Sequence, residues 1–307
     1  MAAASTWRKW QQLTGHDAGI YGLTAGEDAQ TFYSAAGDGW LVRWTLDNPE
    51  VGRLVARAEV QLFSLIYLPQ THTLLAGDMN GGVHWINLGE DRPNRHIDHH
   101  RQGVFGFQVV GEHVYSVGGD GLLTRWDPLR QRSEESLRLS TQSLRSIAYA
   151  PSREELAVGG SDHNIYLLDA RDMRLRQTIT EAHGNSVFAL AFHPDGQRLI
   201  SGGRDAQLKT WNLVDKAAPL TSQPAHWYTL NDITFATGTP WLCTASRDRT
   251  IKIWAADDLR LIKVLDTARD GGHINSVNRL LWMPEARILV SASDDRSLIL
   301  WKESGEE

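Results

Sequence analysis

The chain has 307 residues, a formal net charge of −6 at pH 7 and an isoelectric point near 6.1. This acidic balance argues against binding to a nucleic-acid backbone, which needs an excess of basic charge. The single cysteine, Cys243, excludes a disulfide framework, so we expect a reducing compartment such as the cytoplasm.

The clearest strand pattern lies between His183 and Asn212. Apolar residues alternate with period two from Val187 to Phe192, and the turn sequence His193-Pro194-Asp195-Gly196 follows. Short alternating runs bounded by such residues predict strands joined by tight turns. We therefore predict an antiparallel meander in this stretch.

The same pattern recurs along the whole chain. The residue that ends each copy is Trp44, Trp85, Trp126, Leu168, Trp211, Trp254 or Trp301, at intervals of 41, 41, 42, 43, 43 and 47 residues. In five copies an Asp lies six residues before the Trp, a Ser or Thr four residues before that Asp, and a His 20 to 22 residues before it. In chain order these sets are His16, Ser34, Asp38 and Trp44; His100, Ser116, Asp120 and Trp126; His183, Ser201, Asp205 and Trp211; His226, Thr244, Asp248 and Trp254; and His273, Ser291, Asp295 and Trp301.

With these sets the sequence resembles the WD-repeat β-propeller family over its whole length. The resemblance implies an all-β fold, a seven-bladed β-propeller of four-stranded antiparallel blades. Dividing 307 residues by seven gives about 44 per blade, so we expect one domain over residues 1–307. The resemblance also implies that each set is structural: the Trp donates to the Ser or Thr, whose hydroxyl bonds the His, which bonds the Asp.

A Ser, a His and an Asp also form hydrolase triads, but catalysis needs one site and this set recurs five times. We therefore expect a scaffold and no enzyme.

The amino terminus, residues 1–10, lacks a long apolar run, so we expect neither a signal peptide nor a membrane span there. The last copy stops after its third strand, at Trp301-Lys302. We predict that residues 6–13 supply the missing fourth strand and so close the propeller. The first blade should run from Ile20 to about Val60.

Two blades depart from the pattern. The second has Ala58 at the His position and does not keep the Asp-to-Trp spacing of six. The fourth keeps Asp162 but has Ser140, Val158 and Leu168 at the His, Ser and Trp positions. The sequence therefore leaves the internal hydrogen bonding of these two blades open.

Three further motifs suggest chemistry but are better explained as structure. A metal site at His96, Asp98 and His100 competes with the role of His100 in its set. The glycine-rich segment 77–82 is not followed by a helix, as a phosphate-binding loop would be. The segment 167–171 faintly resembles the box of propellers that dock on ubiquitin-ligase adaptors, but Leu168 replaces its Trp. We expect no cofactor and no metal.

Partner binding is expected on the face that carries the His loops and the Asp turns, because propellers of this family usually bind there. The resemblance places the exposed positions three and five residues after each His and one residue before each turn Asp. The predicted partner-binding residues are Tyr21, Phe63, Phe105, Arg145, Phe188, Arg204, Asn231, Arg247, Asn278 and Asp294. Arginines beside aromatic residues suit an acidic or phosphorylated peptide.

The sequence thus predicts a non-enzymatic interaction scaffold that binds a protein or peptide, with no nucleic-acid or membrane partner. One alternative is a small-molecule or hydrolytic site in the central channel, for which Asp232 and Asp294 are the candidate carboxylates. Another is an architectural subunit of a larger complex, which would use the same surface chemistry.

Overall fold

The computed structural model describes residues 6–89 and 92–304. Over these ranges the chain forms seven four-stranded antiparallel sheets, which confirms the predicted all-β fold of a seven-bladed β-propeller. The chain divides into two compact units, Met1–Gln61 with Asn231–Glu307, and Leu62–Leu230.

The strands follow one another in chain order, four to a blade. The first strand is β1 (Thr6–Thr14), and blade one holds β2 (Ile20–Ala25), β3 (Thr31–Ala36), β4 (Trp40–Thr45) and β5 (Arg53–Arg57). Blade two holds β6 (Leu62–Leu68), β7 (Thr73–Asp78), β8 (Gly82–Asn87) and β9 (Arg95–Asp98). Blade three holds β10 (Val104–Val110), β11 (His113–Gly118), β12 (Leu122–Asp127) and β13 (Arg132–Arg138). Blade four holds β14 (Leu144–Ala150), β15 (Glu155–Gly160), β16 (Ile165–Asp169) and β17 (Leu175–Ile179).

Blade five holds β18 (Val187–Phe192), β19 (Arg198–Gly203), β20 (Gln207–Asn212) and β21 (Ala218–Pro224). Blade six holds β22 (Leu230–Ala236), β23 (Trp241–Ser246), β24 (Ile251–Ala255) and β25 (Leu261–Leu265). Blade seven holds β26 (Val277–Met283), β27 (Ile288–Ser293) and β28 (Ser297–Ser304), with β1 beside β28. The helical segments are a 3-10 turn at Pro151–Arg153 and α1 (Thr267–Asp270). No helix within the described ranges is long and apolar enough to cross a membrane.

The turn between the second and third strands of a blade is built by its Asp. The carboxylate accepts the backbone N–H two residues further on, as from Trp40 to Asp38 at 2.9 Å and from Ser297 to Asp295 at 3.0 Å. The residue between them has a left-handed φ, which is 77° at Gly39 and 67° at Arg296. Asx turns of this kind tolerate that conformation. At Gly39 glycine is also needed for space, since a Cβ there would lie 2.1 Å from the carbonyl oxygen of Ala58.

Apolar clusters between neighbouring sheets form the core. In the second unit, one cluster contains Trp85 and Trp126, and in the first unit another contains Trp44. Four of the tryptophans that end the repeats, Trp44, Trp85, Trp126 and Trp301, are among the largest fully buried side chains. Trp44 and Trp126 thus pack in clusters with residues of the preceding blade.

The strand β1 completes blade seven, as the sequence predicts. It pairs antiparallel with β28, from Thr6 opposite Ser304 to Thr14 opposite Ser297, and ends one residue later than expected. The register shifts between Lys9 and Gln11, which marks a β-bulge at Trp10.

The bulge changes which sheet face the side chains of β1 reach. On one side of it, Trp7 is 3% exposed and packs in a cluster with blade six residues, its ring 5.9 Å from that of Trp282. On the other side, Leu13 is 2% exposed and packs in a cluster with blade one residues. The amino-terminal strand therefore contributes to the cores on both faces of blade seven.

We predict that Trp7→Ala lowers the free energy of unfolding by about 3 to 5 kcal/mol, because it leaves a cavity between two sheets. Trp10→Ala, in the same strand, removes a side chain that is 41% exposed and should cost less than about 1 kcal/mol. Chemical denaturation of both variants measures this. Equal losses would contradict the assigned role of β1.

Candidate functional site

A chain of four side chains runs through four of the blades. In blade one, His16 Nδ1 lies 3.0 Å from Asp38 Oδ2, His16 Nε2 lies 2.8 Å from Ser34 Oγ, and Trp44 Nε1 donates to Ser34 Oγ at 2.9 Å. The carboxylate can only accept, so Nδ1 is the donor, and the hydroxyl then donates to Nε2. The same three bonds occur in the sets of His100, His183 and His273.

Blade six has part of this arrangement within the first unit. Trp254 Nε1 donates to Thr244 Oγ1 at 2.9 Å. Asp248 accepts the backbone N–H of Thr250 at 3.0 Å and its hydroxyl at 2.6 Å. His226 is buried.

The turn carboxylate also binds the loop that precedes the blade. In addition to the bond from its His, Asp120 accepts the backbone N–H of Arg101 at 3.0 Å. Asp205 likewise accepts the backbone N–H of Gly184 at 2.8 Å. Burial alone would raise the pKa of Asp120, but the bonds from His100, Arg101 and Leu122 outweigh it and hold the pKa at about 2. The carboxylate is therefore charged at neutral pH and ties loop and turn together.

We predict that the hydrogen bonds of the Asp120 carboxylate together contribute about 2 kcal/mol to stability at pH 7, because the pKa of Asp120 is lower in the folded than in the unfolded chain. The contribution is present above the unfolded pKa and is lost as the pH falls from about 4 to about 2. Asp120→Asn should therefore be less stable than the wild type at pH 7, and the difference should shrink in acid.

Urea unfolding at several pH values measures this, with Asp215→Asn in an exposed turn as the control. A difference that does not change with pH would show that the charge of Asp120 is not what stabilises the loop.

Blade four replaces the histidine with a direct contact. Ser140 Oγ donates to Asp162 Oδ2 at 2.6 Å, and the hydroxyl of Tyr166 donates to the same carboxylate. Leu168, at the Trp position, is fully buried and needs no hydrogen-bond acceptor. The loop and the turn of this blade are thus still linked by the Asp.

Blade two supplies its histidine from the other side of the turn. His84 in β8 places Nε2 2.8 Å from Asp78 Oδ2, where other blades use a His from the preceding loop. Trp126 lies opposite Val114, two residues before Ser116, whereas Trp85 lies opposite Leu75, two residues before Gly77, which offers no hydroxyl. Trp85 Nε1 is buried without a hydrogen-bond partner among the described residues. The sequence did not predict that His84 takes the place of the loop His, because this contact depends on the reach of a side chain in the third strand.

The tryptophans of blades two and three form a matched pair for a test. Trp85→Phe and Trp126→Phe remove the same atoms from the core, but only Trp126 loses a bond, the one to Ser116. We predict that Trp126→Phe costs about 1 to 2 kcal/mol more than Trp85→Phe. Thermal or chemical denaturation measures the difference, and a larger loss for Trp85→Phe would refute this account of blade two.

The predicted partner-binding residues share a backbone feature. In six blades the register of the first strand shifts at one residue, so that this residue is bulged out of the pairing with the second strand. The bulged residues are Tyr21, Phe63, Phe105, Arg145, Phe188 and Asn278. A bulge re-aims a side chain and leaves its residue outside the ladder. The positions five residues after the His are therefore placed by bulges.

A backbone hydrogen bond joins the other two predicted positions in five blades. The N–H of the residue before the turn Asp donates to the carbonyl of the residue three after the His position. The pairs are Gly37 to Gly19 at 2.8 Å, Gly119 to Gly103 at 2.8 Å, Ser161 to Ser143 at 2.7 Å, Arg204 to Ser186 at 2.9 Å, and Asp294 to Ser276 at 3.0 Å. The loop and the turn of each of these blades therefore form one edge.

In the second unit these positions form an aromatic–arginine cluster of Phe63, Phe105, Arg145, Phe188 and Arg204. The rings of Phe63 and Phe105 stack at 15° with centroids 5.8 Å apart. Arg145 Cζ lies 4.1 Å from the centroid of Phe105 and 5.6 Å from that of Phe188. Both contacts are within the range of cation–π attraction.

Arg145 carries a positive charge that no carboxylate neutralises within the described residues. Its Nε donates to Ser161 Oγ at 3.1 Å. Burial lowers the pKa of Arg145, and the positive charge of Arg204 lowers it further. Arg204 is exposed and likewise has no ion-pair partner in the described part of the chain.

In the first unit the predicted residues form a polar group. Asp294 accepts from Asn278 Nδ2 at 2.8 Å and from the hydroxyl of Tyr21. Burial and then the negative charge of Asp294 raise the pKa of Tyr21. Asn231 donates to the carbonyl of Val277 at 2.8 Å, and Arg247 is exposed in its turn.

The two carboxylates considered for a channel site are held by different groups. Asp232 accepts the backbone N–H groups of Leu280 at 2.8 Å and Ile233 at 3.0 Å, whereas Asp294 bonds Asn278. Burial raises the pKa of Asp232.

The structure separates His96, Asp98 and His100, which the sequence analysis considered as a metal site. His100 bonds Asp120 and Ser116, whereas His96 lies 3.6 Å from Asp98 and 3.5 Å from Asp78.

Comparisons with known proteins agree with this architecture. The family model for the WD domain, G-beta repeat, matches residues 174–212, 217–255 and 261–302. Three WD repeats are thus recognised within residues 174–302. These three matches cover blades five to seven together with the last strand of blade four, and the hydrogen-bonded sets extend the same pattern to blades one and three.

One relative and one solved structure resemble this chain. The WD repeat-containing protein SL1-17 of Schistosoma mansoni is 22% identical over 166 residues, which cover 53% of this chain and 55% of the relative. The chain thus matches about half the length of that protein. The WD40 β-propeller domain of Doa1 superimposes with a TM-score of 0.85 at 19% identity and covers 99% of this chain and 98% of the domain. This likeness shows the propeller fold, and the family is generally used to scaffold protein–protein interactions.

Proposed function

We propose that this WD-repeat chain is a non-enzymatic scaffold that holds an acidic peptide of a partner protein against the aromatic–arginine cluster. The observation that carries the proposal is the half-buried guanidinium of Arg145. Only its Nε has an acceptor in the described residues, so the two Nη groups are left as donors. A buried charged donor without an acceptor is costly, and a carboxylate or phosphate oxygen would satisfy both Nη groups together.

The charge distribution supports an anionic ligand. The chain as a whole has a net charge of −6, yet the neighbouring Arg145 and Arg204 have no carboxylate within ion-pair distance among the described residues. Two neighbouring cations repel each other, and an anion placed between them relieves this repulsion. A carboxylate and a phosphorylated side chain share this chemistry.

The aromatic rings supply the apolar part of the contact. The stacked rings of Phe63 and Phe105 are half-buried, so each retains exposed surface. Glycines at positions 103 and 119 leave room for Phe105, since a Cβ at either would lie 3.3 or 3.1 Å from its ring. Aromatic and arginine anchors dominate the binding energy of many interfaces. We infer that an apolar residue next to the acidic one rests on these rings.

The alternative of a catalytic channel finds less support. The carboxylates of Asp232 and Asp294 each bond groups of the protein itself, and the Ser, His and Asp of the repeated sets bond one another in separate blades.

We predict that acidic and phosphoserine peptides bind the wild type more tightly than neutral or basic peptides of the same length. The double variant Arg145→Gln with Arg204→Gln should weaken this binding by at least about 100-fold, because it removes two charged hydrogen bonds that each contribute about 1.5 to 3 kcal/mol. Fluorescence anisotropy with a labelled peptide set measures the affinities. Raised salt should weaken the wild-type binding as well.

The matched control is Arg132→Gln, which removes an exposed arginine from β13 in the same unit. It should bind like the wild type, and all variants should melt normally. If no anionic peptide binds the wild type, or if the double variant binds as well as the control, the cluster is not the binding site.

A further inference from the structure

Blade two contains a cluster of three metal-ligating side chains that the scaffold function does not use. Asp78 Oδ2 lies 2.8 Å from His84 Nε2 and 3.5 Å from His96 Nε2. The three ligand atoms all lie within 4.8 Å of one another. The ring planes of His84 and His96 are tilted by 33°, with centroids 4.4 Å apart. We call Asp78, His84 and His96 the blade-two histidine cluster.

The backbone fixes the orientation of the carboxylate in this cluster. Asp78 is 2% exposed, and its Oδ1 accepts the N–H groups of Asn80, Gly81 and Gly82 at 2.8, 2.9 and 2.9 Å. Three donors on one oxygen hold the carboxylate plane in place. The other oxygen, Oδ2, is thereby directed at both imidazoles.

The space between the ligand atoms exists because residue 82 is glycine. A Cβ at Gly82 would lie 2.2 Å from His96 Nε2 and 2.4 Å from Asp78 Oδ2. The left-handed position of this turn is Gly81, with a φ of 105°, so backbone conformation does not require glycine at 82. The residue that follows the left-handed position in blades one and three has a large side chain, Trp40 or Leu122.

We propose that Asp78, His84 and His96 bind a divalent transition-metal ion, with zinc preferred, and leave a fourth position for a water molecule. Two imidazoles and one carboxylate are a donor set typical of zinc. Ligand atoms around a tetrahedral zinc lie about 3.3 Å apart at bond lengths of about 2.0 to 2.1 Å. The distance from Asp78 to His96 already fits, and the distance from Asp78 to His84 needs to open by about half an ångström.

The exposure of the two histidines gives the ion a route of entry. The side chain of His96 is 45% exposed in the outermost strand β9, whereas that of His84 is 19% exposed. The outer imidazole can therefore swing onto an ion held by the two inner ligands. The same open side leaves room for the water.

A purely structural role explains only part of the cluster. A hydrogen bond from His84 to Asp78 would replace the His-to-Asp bond of the complete blades. It does not require a second histidine at position 96. A metal ion does, so the two roles predict different results for variants of His96.

The test uses the full chain without an affinity tag, stripped with a chelator and then titrated with Zn²⁺ against a chromophoric competitor. We expect one Zn²⁺ per chain with micromolar or tighter affinity, and a zinc-dependent rise in the melting temperature. His96→Ala should weaken binding at least about tenfold and abolish that rise, while the metal-free melting temperature stays unchanged. Gly82→Ala should also weaken binding, although it keeps all three ligands.

His113→Ala is the matched control, because His113 is a partly exposed histidine elsewhere in the second unit, 3.2 Å from Glu134. It should bind zinc like the wild type. Co²⁺ added to the stripped wild type should give the visible absorption of a four-coordinate ion, and His96→Ala should lose it. The proposal is overturned if the stripped wild type binds no Zn²⁺, or if His96→Ala binds it as tightly as His113→Ala.

Discussion

The carboxylate of the turn aspartate is the group on which the geometry of each complete blade depends. In blade three, Asp120 accepts from its own turn at Leu122, from His100 and from the backbone of Arg101. One side chain thus connects a turn between two strands with a loop that precedes the blade. Because the hydroxyl of Ser116 and the indole of Trp126 continue the chain of bonds, the same link extends into the apolar core. Loop position and core packing are therefore coupled.

The edge that we propose for partner binding follows from this link. The residue before the Asp and the residue three after the His are joined by a backbone hydrogen bond, as between Ser161 and Ser143. The bulged residue, Arg145 in the same blade, comes two residues later. A displaced loop would move both the bulge and the turn. The proposed binding residues would thus rest on a support that is fixed by hydrogen bonds, as is common for loops with functional residues.

The sequence predicted the fold because five sets of four residues keep their spacing. This repeated spacing is enough to identify the blades along the chain. The resemblance also predicted the edge positions, but the bulges that hold Phe63 and Phe105 are not visible in the residue pattern. The contact of Arg145 with Phe105 and Phe188 joins three blades, so its distances depend on packing that periodicity does not specify. The role of His84 was missed because the spacing rule searches the loop, where blade two has Ala58.

The bulges have a consequence for how such a surface can diversify. A residue outside the ladder makes no paired backbone bonds with the second strand, so its side chain can change without disturbing the pairing of the strand. The six bulged positions hold Tyr, Phe, Phe, Arg, Phe and Asn in this chain, while the Trp, Ser and Asp positions around them scarcely vary between the complete blades. Each repeat therefore combines nearly constant residues that stabilise the blade with one variable residue at the bulge. Substitutions at the bulged positions can therefore change the surface one blade at a time without altering the residues that fold the blade.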